Sequence, residues 1–600
     1  MLVVAGAPAA PAAAKPRIKI SGGLTQPVFS YKNAIREYVW VQSPVDSDGD
    51  GKKDRVRVDI IRPKETNSGL KVPVIMHESP YFDEPGAGFE NDHKKYDANG
   101  NPTKFPLWYD NYFVPRGYAF VSVDMIGTRL SDGCPTSGGP SDVLGGKAVI
   151  DWLNGRATAY DAKGNPVKAT WTTGSTGMIG HSYEGGLAIG VAGTGVPGLK
   201  TIVPLAGTTN WYDQWRMNGT ITWFKGGQEW LARRVDLDPE EKCAAVHQRM
   251  IKGEDDATGN YNAYWHELDY RTGPVSNVRN VRASVFSVVG MQDRNVTADQ
   301  FSTWWAGLPR GVQRKAWVTQ YGHLDPFWGR RDVWVNTLHK WFDHELMGVR
   351  NDIMRQPRAD VQLGPDRWIT QADWPAPTRT ATLRPQHDGS LGRKPSTGIG
   401  GYLETKQSEA AMAGDPGTAQ PYRLAFLTPA LKNVVRMSGT PSVSLRVKLD
   451  KPTANLGVLL VDYGQDTRLN SRGPGQGLKF IDGKDCVGEG TADDDGCYRR
   501  AADDTVTSGF EVVSRGIMDA QNHKSLSRTT PLTPGKSYQI TWSMLPQDYE
   551  FKAGHRLGLV LTGTDADLGD AETGTGAKVT VDLAGTSVSL PLVAGTSSGN

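Results

Sequence analysis

Between residues 72 and 319 short apolar runs recur at helix-length intervals: 72–76, 118–123, 177–179, 201–203, 283–289 and 315–319. Each is too short for a helix, and the segments between them are long enough to hold one. That pattern predicts a mostly parallel sheet with helices on both faces. Residues 37–41 and 55–61 alternate apolar and polar instead, as two strands joined by a turn do. Between Trp211 and Asn280 the strand pattern gives way to a helical stretch crowded with Trp211, Tyr212, Trp215, Trp223, Trp230 and Trp265. Inserted between two sheet strands, it is placed to cap the sheet's carboxyl edge. From about Pro357 helical periodicity nearly disappears. Residues 442–449 alternate strictly, and 557–561, 579–581 and 587–590 continue an all-β reading, for which a jelly-roll sandwich is the expected form.

The densest chemistry lies at residues 176–186, where the apolar run 177–179 leads into Ser182 and then a helical stretch, 187–191. A serine on a tight strand-to-helix turn has a strained backbone and needs small neighbours, and its hydroxyl projects beside the positive end of the helix. The usual G-x-S-x-G spacing is shifted: Gly180 and Ser182 fit, but Glu184 stands where the second glycine belongs and the glycine falls at Gly185. A serine hydroxyl is a poor nucleophile until a base takes its proton, and the base needs an acid to orient it. In the chain order serine, acid, histidine, Asp293 follows the run ending at Val289 and His323 the run ending at Thr319. Both positions are loops at the edge where open α/β sheets bind ligands. Asp325 is a rival acid, although close to His323 in sequence.

Other motifs carry less chemistry. His339 and His344 fall on an amphipathic helix, and Gly348 stands where His344-Glu345 would need a second histidine to hold zinc. Residues 193–198 satisfy G-x-G-x-x-G but follow a helix and contain Pro197, while Gly535-Lys536-Ser537 lacks the upstream glycine of a phosphate loop. No cofactor for catalysis is expected.

Composition sets the limits. Six hundred residues imply two or three domains. A net charge of +2, from 67 basic and 65 acidic residues, favours neither nucleic acid nor an anionic membrane as partner. No apolar run approaches the roughly 18 residues of a membrane span. Residues 2–14 are small and apolar and end in Ala12-Ala13-Ala14, like the tail of a signal peptide, so secretion is expected. Cys486 and Cys497 bracket a Gly/Asp-rich loop that a disulfide would close; Cys134 and Cys243 pair only if the fold brings them together, and reduced, buried thiols are the alternative. The turn carrying Asp46, Asp48, Asp50 and Asp54 has the spacing of the first half of a calcium loop, but Arg57 stands where the bidentate glutamate would be. It is either a structural calcium site or a solvated acidic hairpin.

The shifted elbow, Gly180-His181-Ser182-Tyr183-Glu184-Gly185, occurs with Ser79-Pro80-Tyr81, the block 124–133, the block 290–296, Gly322-His323 and a β-rich C-terminal third. Together they resemble the family of X-prolyl dipeptidyl aminopeptidases, cocaine-esterase-like hydrolases and α-amino-acid ester hydrolases. The resemblance implies an α/β-hydrolase domain over residues 31–355 with a helical cap at about 211–280, a β-sandwich jelly roll over 356–600, and a leader and linker over 1–30. It implies a triad of Ser182, Asp293 and His323, and an oxyanion hole formed by the Tyr183 N–H and the Tyr81 hydroxyl. Glu184, Trp211 and Trp215 are the expected substrate contacts. The sequence around Tyr183 to Gly185 and 201–211 looks closest to the peptidase branch, whose substrate is a peptide with proline second. An esterase or acylase of the same fold, or a catalytically idle binding protein, are the other readings; oligomeric state is left open.

Overall fold

A computed structural model describes residues 16–82, 93–568 and 574–594. At its centre is a sheet of twelve strands: β1 (Ile35–Gln42), β2 (Arg55–Arg62), β3 (Val72–Ser79), β4 (Ala119–Asp124), β5 (Ala159–Tyr160), β6 (Pro166–Val167), β7 (Thr172–His181), β8 (Leu199–Leu205), β9 (Ser284–Gly290), β10 (Arg314–Thr319), β11 (Ala359–Gly364) and β12 (Arg367–Gln371). Their spatial order is β6-β5-β1-β2-β4-β3-β7-β8-β9-β10-β11-β12. The run from β4 to β11 is parallel and the flanking pairs are antiparallel. Every residue of β3 and β9 is buried, as continuous apolar strands covered on both faces require. Helices α1 (Pro140–Leu153) and α2 (Tyr183–Ala192) pack together on β7.

The sheet extends past the expected boundary at residue 355. Strand β11 continues it in parallel with β10, Ala316 opposite Ala359, and Val361 is fully buried in the hydrolase core. Alternation identifies a strand but not the sheet it joins, so β11 and β12 read as the start of the second domain. Nor are residues 16–30 a free linker: Thr25 donates from its N–H and hydroxyl to Asp343, at 2.7 and 2.9 Å. Of the expected leader and linker over residues 1–30, residues 1–15, with the signal-like stretch 2–14, lie outside the described residues. Among the described residues no helix is long and apolar enough to cross a membrane.

Between β8 and β9 the chain forms the cap, with α3 (Trp211–Trp215), α4 (Gly227–Val235), α5 (Glu240–Glu254) and α6 (Ala263–Glu267). The fold does bring Cys134 and Cys243 together, and their disulfide ties α5 to the segment after β4. Closing a loop of 109 residues restricts the unfolded chain by about 4–5 kcal/mol. The cap also touches the C-terminal domain, where Asn218 Nδ2 donates to the Ile517 carbonyl at 2.9 Å and Tyr261 N–H to that of Leu526 at 2.8 Å.

The remaining residues form two antiparallel sheets facing across an apolar core. One is built on the long strand Lys578–Val593, and the other has the order Arg423–Leu427, Arg556–Thr562, Asn455–Leu469, Thr505–Asp519. Cys486 and Cys497 are opposed in a hairpin and bonded. The loop they close reaches back to the hydrolase domain: Glu489 accepts the Tyr31 N–H at 3.1 Å and Asp494 that of Phe105 at 3.3 Å.

Candidate active site

Ser182 lies between β7 and α2 with φ 89° and ψ −116°, a conformation that non-glycine residues rarely adopt. The turn is so tight that a Cβ at Gly180 would lie 2.5 Å from that of Glu184, and one at Gly185 would lie 2.9 Å from the carbonyl oxygens of Gly180 and Leu205. Those two approaches explain the shifted spacing: position 185, not 184, is the one pressed against β8.

The expected partners converge on this serine. His323 Nε2 is 2.8 Å from Ser182 Oγ, and His323 Nδ1 is 2.6 Å from Asp293 Oδ2. The other Asp293 oxygen accepts the N–H groups of Asn295 and Val296, at 2.8 and 3.0 Å, which fixes the carboxylate's orientation. The rival Asp325 is occupied elsewhere, capping the short helix α7 (Pro326–Gly329) by accepting the Phe327 N–H at 2.8 Å. Burial, and after it the nearby Glu184 carboxylate, push Asp325 up to about 7. His339 is a structural residue, bound to Thr25 Oγ1 at 2.8 Å and the Tyr112 hydroxyl at 3.0 Å.

Tyr81 and Tyr183 both border the serine. The Tyr183 N–H opens α2, and its ring is anchored by the hydroxyl, which donates to Asp142 Oδ2 at 2.8 Å and accepts the Gly138 N–H at 2.6 Å. Tyr81 packs edge-on against that ring, centroids 6.1 Å apart. Burial, followed by the Glu184 carboxylate and opposed by Arg234, raises the Tyr81 phenol above its ordinary value, so it keeps its proton and can donate.

A pocket of about 280 Å³ opens over Ser182, lined by Tyr81, Tyr183 and the cap. Trp211 and Trp215 line it as expected, joined by Trp223, Phe224, Gln214 and Asn295, which no motif in the sequence marks as contacts, although Asn295 belongs to the block that carries Asp293. Glu184 does not line it. As the second residue of α2, its side chain leans back beneath the turn, where its carboxylate accepts the His181 N–H at 3.2 Å and lies 2.9 Å from His77 Nε2. Among the described lining residues there is no carboxylate.

Far along the chain from the serine, Asp46, Asp48 and Asp50 each bring a carboxylate oxygen within 4.8 Å of the others. Asp54 is not part of that group. It is buried and closes the hairpin, accepting the Ser47 N–H at 2.8 Å.

A serine bonded to a histidine that is bonded to a buried aspartate, at the carboxyl edge of a parallel sheet and beneath a helical cap, defines a serine hydrolase of the α/β type. Residues 48–325 match the family described as X-Pro dipeptidyl-peptidase (S15 family), and residues 351–590 the X-Pro dipeptidyl-peptidase C-terminal non-catalytic domain. The chain is 46% identical over 581 residues to a Streptomyces avermitilis protein named "Putative Xaa-Pro dipeptidyl-peptidase", covering 95% of this chain and 85% of that one. It is 30% identical over 650 residues to the Xaa-Pro dipeptidyl-peptidase of Lacticaseibacillus rhamnosus, covering 96% and 79%. In fold it is similar to an α-amino acid ester hydrolase, with a TM-score of 0.61 at 17% identity over 98% of this chain and 100% of the other. A CocE/NonD family hydrolase from Staphylococcus aureus gives 0.64 at 14% identity, over 94% and 98%. The chain belongs to the X-Pro dipeptidyl-peptidase (S15) family.

Proposed function

We propose that this chain is a serine exopeptidase that releases Xaa-Pro dipeptides from peptide N-termini through an acyl-enzyme on Ser182. His323 takes the hydroxyl proton as Ser182 attacks the carbonyl of the second residue, then gives it to the departing amine. Asp293 holds the imidazole in the required tautomer and stabilises its charged form. The Tyr183 N–H and Tyr81 hydroxyl receive the oxyanion. Water, activated by His323, then releases the dipeptide. The observation that carries this reading is the chain of short contacts from Asp293 through His323 to Ser182 at the floor of an aromatic pocket.

The pocket suits proline at the second position, because a compact apolar ring packs against Trp and Tyr faces without leaving a polar group unpaired. The tryptophans of the lining can hold the substrate's α-ammonium by cation–π contact, worth up to about 2 kcal/mol when desolvated, with Arg234 the one cation among the described lining residues that opposes it. Acetylating the N-terminus of an Ala-Pro-anilide is therefore expected to lower kcat/KM by about tenfold to thirtyfold. Equal rates for the two, with fast hydrolysis of a simple aryl ester, would replace this reading with the esterase or acylase of the same fold.

Three further expectations belong to the same proposal. Two disulfides support secretion into an oxidising compartment. The two facing antiparallel sheets support a jelly-roll form for the C-terminal domain. Asp46, Asp48 and Asp50 fit a structural calcium, since oxygens within 4.8 Å of one another can share an ion at the usual distance of about 2.4 Å.

A further inference from the structure

The loops that bear His323 and Asp293 are held from the C-terminal domain. The His323 main-chain N–H donates to Gln476 Oε1 at 2.5 Å, and that of Gly322 to the Gln476 carbonyl at 3.0 Å. The preceding residue is held too, with the Tyr321 hydroxyl donating to Asp503 at 2.6 Å. Gln476 sits in the tight turn 471–477 at φ 51°, its own N–H bonded to the Gly473 carbonyl at 2.8 Å. The approach leaves no room for side chains. A Cβ at Gly322 would lie 2.6 Å from Gln476 Oε1, and one at Gly477 2.8 Å from the Tyr321 ring.

The same turn is connected to the acid. Arg472 Nη2 lies 2.6 Å from Glu409 Oε2, and Arg294, next to Asp293, donates to that oxygen at 3.0 Å. Arg515 donates to the other oxygen of Glu409, which is fully buried. Burial alone would raise the Glu409 carboxyl, but the three guanidiniums hold it down at about 2, so it stays charged wherever the enzyme works. A closed circuit results: His323, the turn 471–477, Glu409, Arg294, Asp293, and back to His323.

We propose that Gln476 is a positioning residue for His323, so that the C-terminal domain completes the active site rather than standing beside it. A peptide N–H fixed on one side and an imidazole fixed by Asp293 on the other leave the ring little freedom to swing away from Ser182. This matters because displacement of a reacting group by about 1 Å can cost about a hundredfold in rate.

The inference rests on the Ser182 triad reading, and the test separates the two. Gln476→Ala is expected to lower kcat by about ten- to hundredfold with KM nearly unchanged and the melting temperature retained. Gln476→Glu keeps an acceptor oxygen of the same reach and is expected to recover most of the loss on the alkaline plateau of its pH profile. An unchanged kcat in Gln476→Ala, or an equal loss in both variants, overturns the proposal. Should Gln476→Ala fail to fold, Arg472→Gln loosens the same turn from a partly exposed side chain. A severalfold fall in its kcat at constant KM then supports the proposal, and full activity overturns it. Activity remaining in Ser182→Ala would overturn the triad reading itself, whatever Gln476 does.

Discussion

Ser182 Oγ and His323 Nε2, 141 positions apart in the chain, lie 2.8 Å from each other. In the proposed mechanism, that contact places the base within reach of the proton it removes. Ser182→Ala is expected to lower kcat by about four or more orders of magnitude while leaving the melting temperature unchanged. Alanine meets the same steric demand as serine at φ 89°, so the elbow keeps its shape. Near-normal peptidase activity, or undiminished labelling by a fluorophosphonate, would sink the assignment.

Tyr81→Phe keeps the ring that packs on Tyr183 and deletes one donor. If the hydroxyl binds the oxyanion, kcat falls by about a hundredfold or more with little change in KM. A rise in KM alone would make Tyr81 a substrate contact.

Asp325 should leave a mark on stability. Its carboxyl is raised from the ordinary 3.8 to about 7, chiefly by burial and next by Glu184. Folding therefore favours the neutral form: the contribution is fully present below about pH 4 and is lost as pH rises through about 7. Asp325→Asn retains an acceptor for the Phe327 N–H and removes the titration. Its melting temperature is expected to fall less than the wild type's between about pH 5 and 8, a difference worth a few kcal/mol at most. Parallel stability profiles would count against a shifted Asp325.

Calcium is expected to raise the melting temperature and a chelator to lower it, with activity in the cold unaffected. Saturation at about a hundred times the dissociation constant corresponds to about 2.7 kcal/mol. Asp48→Asn should abolish the response. No shift, with no metal in elemental analysis, leaves a turn held by its own amides, such as the Gly49 N–H bonded to Asp46 at 2.8 Å.

Much of this was legible in the chain because the triad residues each follow an apolar run, and the covalent geometry of a strand ending at the sheet's edge puts them on one side. What was not legible depended on direction or on distant contacts. Glu184 reads as an acid beside the nucleophile, yet a helix's second side chain leans back, and this one turned under the elbow. Cys134 and Cys243 carry no spacing signal, since only the cap's placement joins them. Gln476 lies in a glycine-rich turn that composition marks as an ordinary loop, and its role exists only where two domains meet. Strands β11 and β12 looked like those that follow them because alternation is local and sheet membership is not.

The Cys134–Cys243 bridge has a consequence for what can enter. The cap is rooted in the chain at β8 and β9, pinned by the bridge in α5, and bonded to the C-terminal domain through Asn218 and Tyr261. For the cap to swing away from the sheet, the bridge or the loop bearing it would have to move and both of those hydrogen bonds would have to break. Under the proposed function, a peptide must therefore reach Ser182 beneath a cap that is tied down on several sides, which favours a slender chain end over the body of a folded protein. Reduction of the bridge removes the one covalent tie among the described residues between α5 and the segment after β4, and is expected to loosen the cover over Ser182.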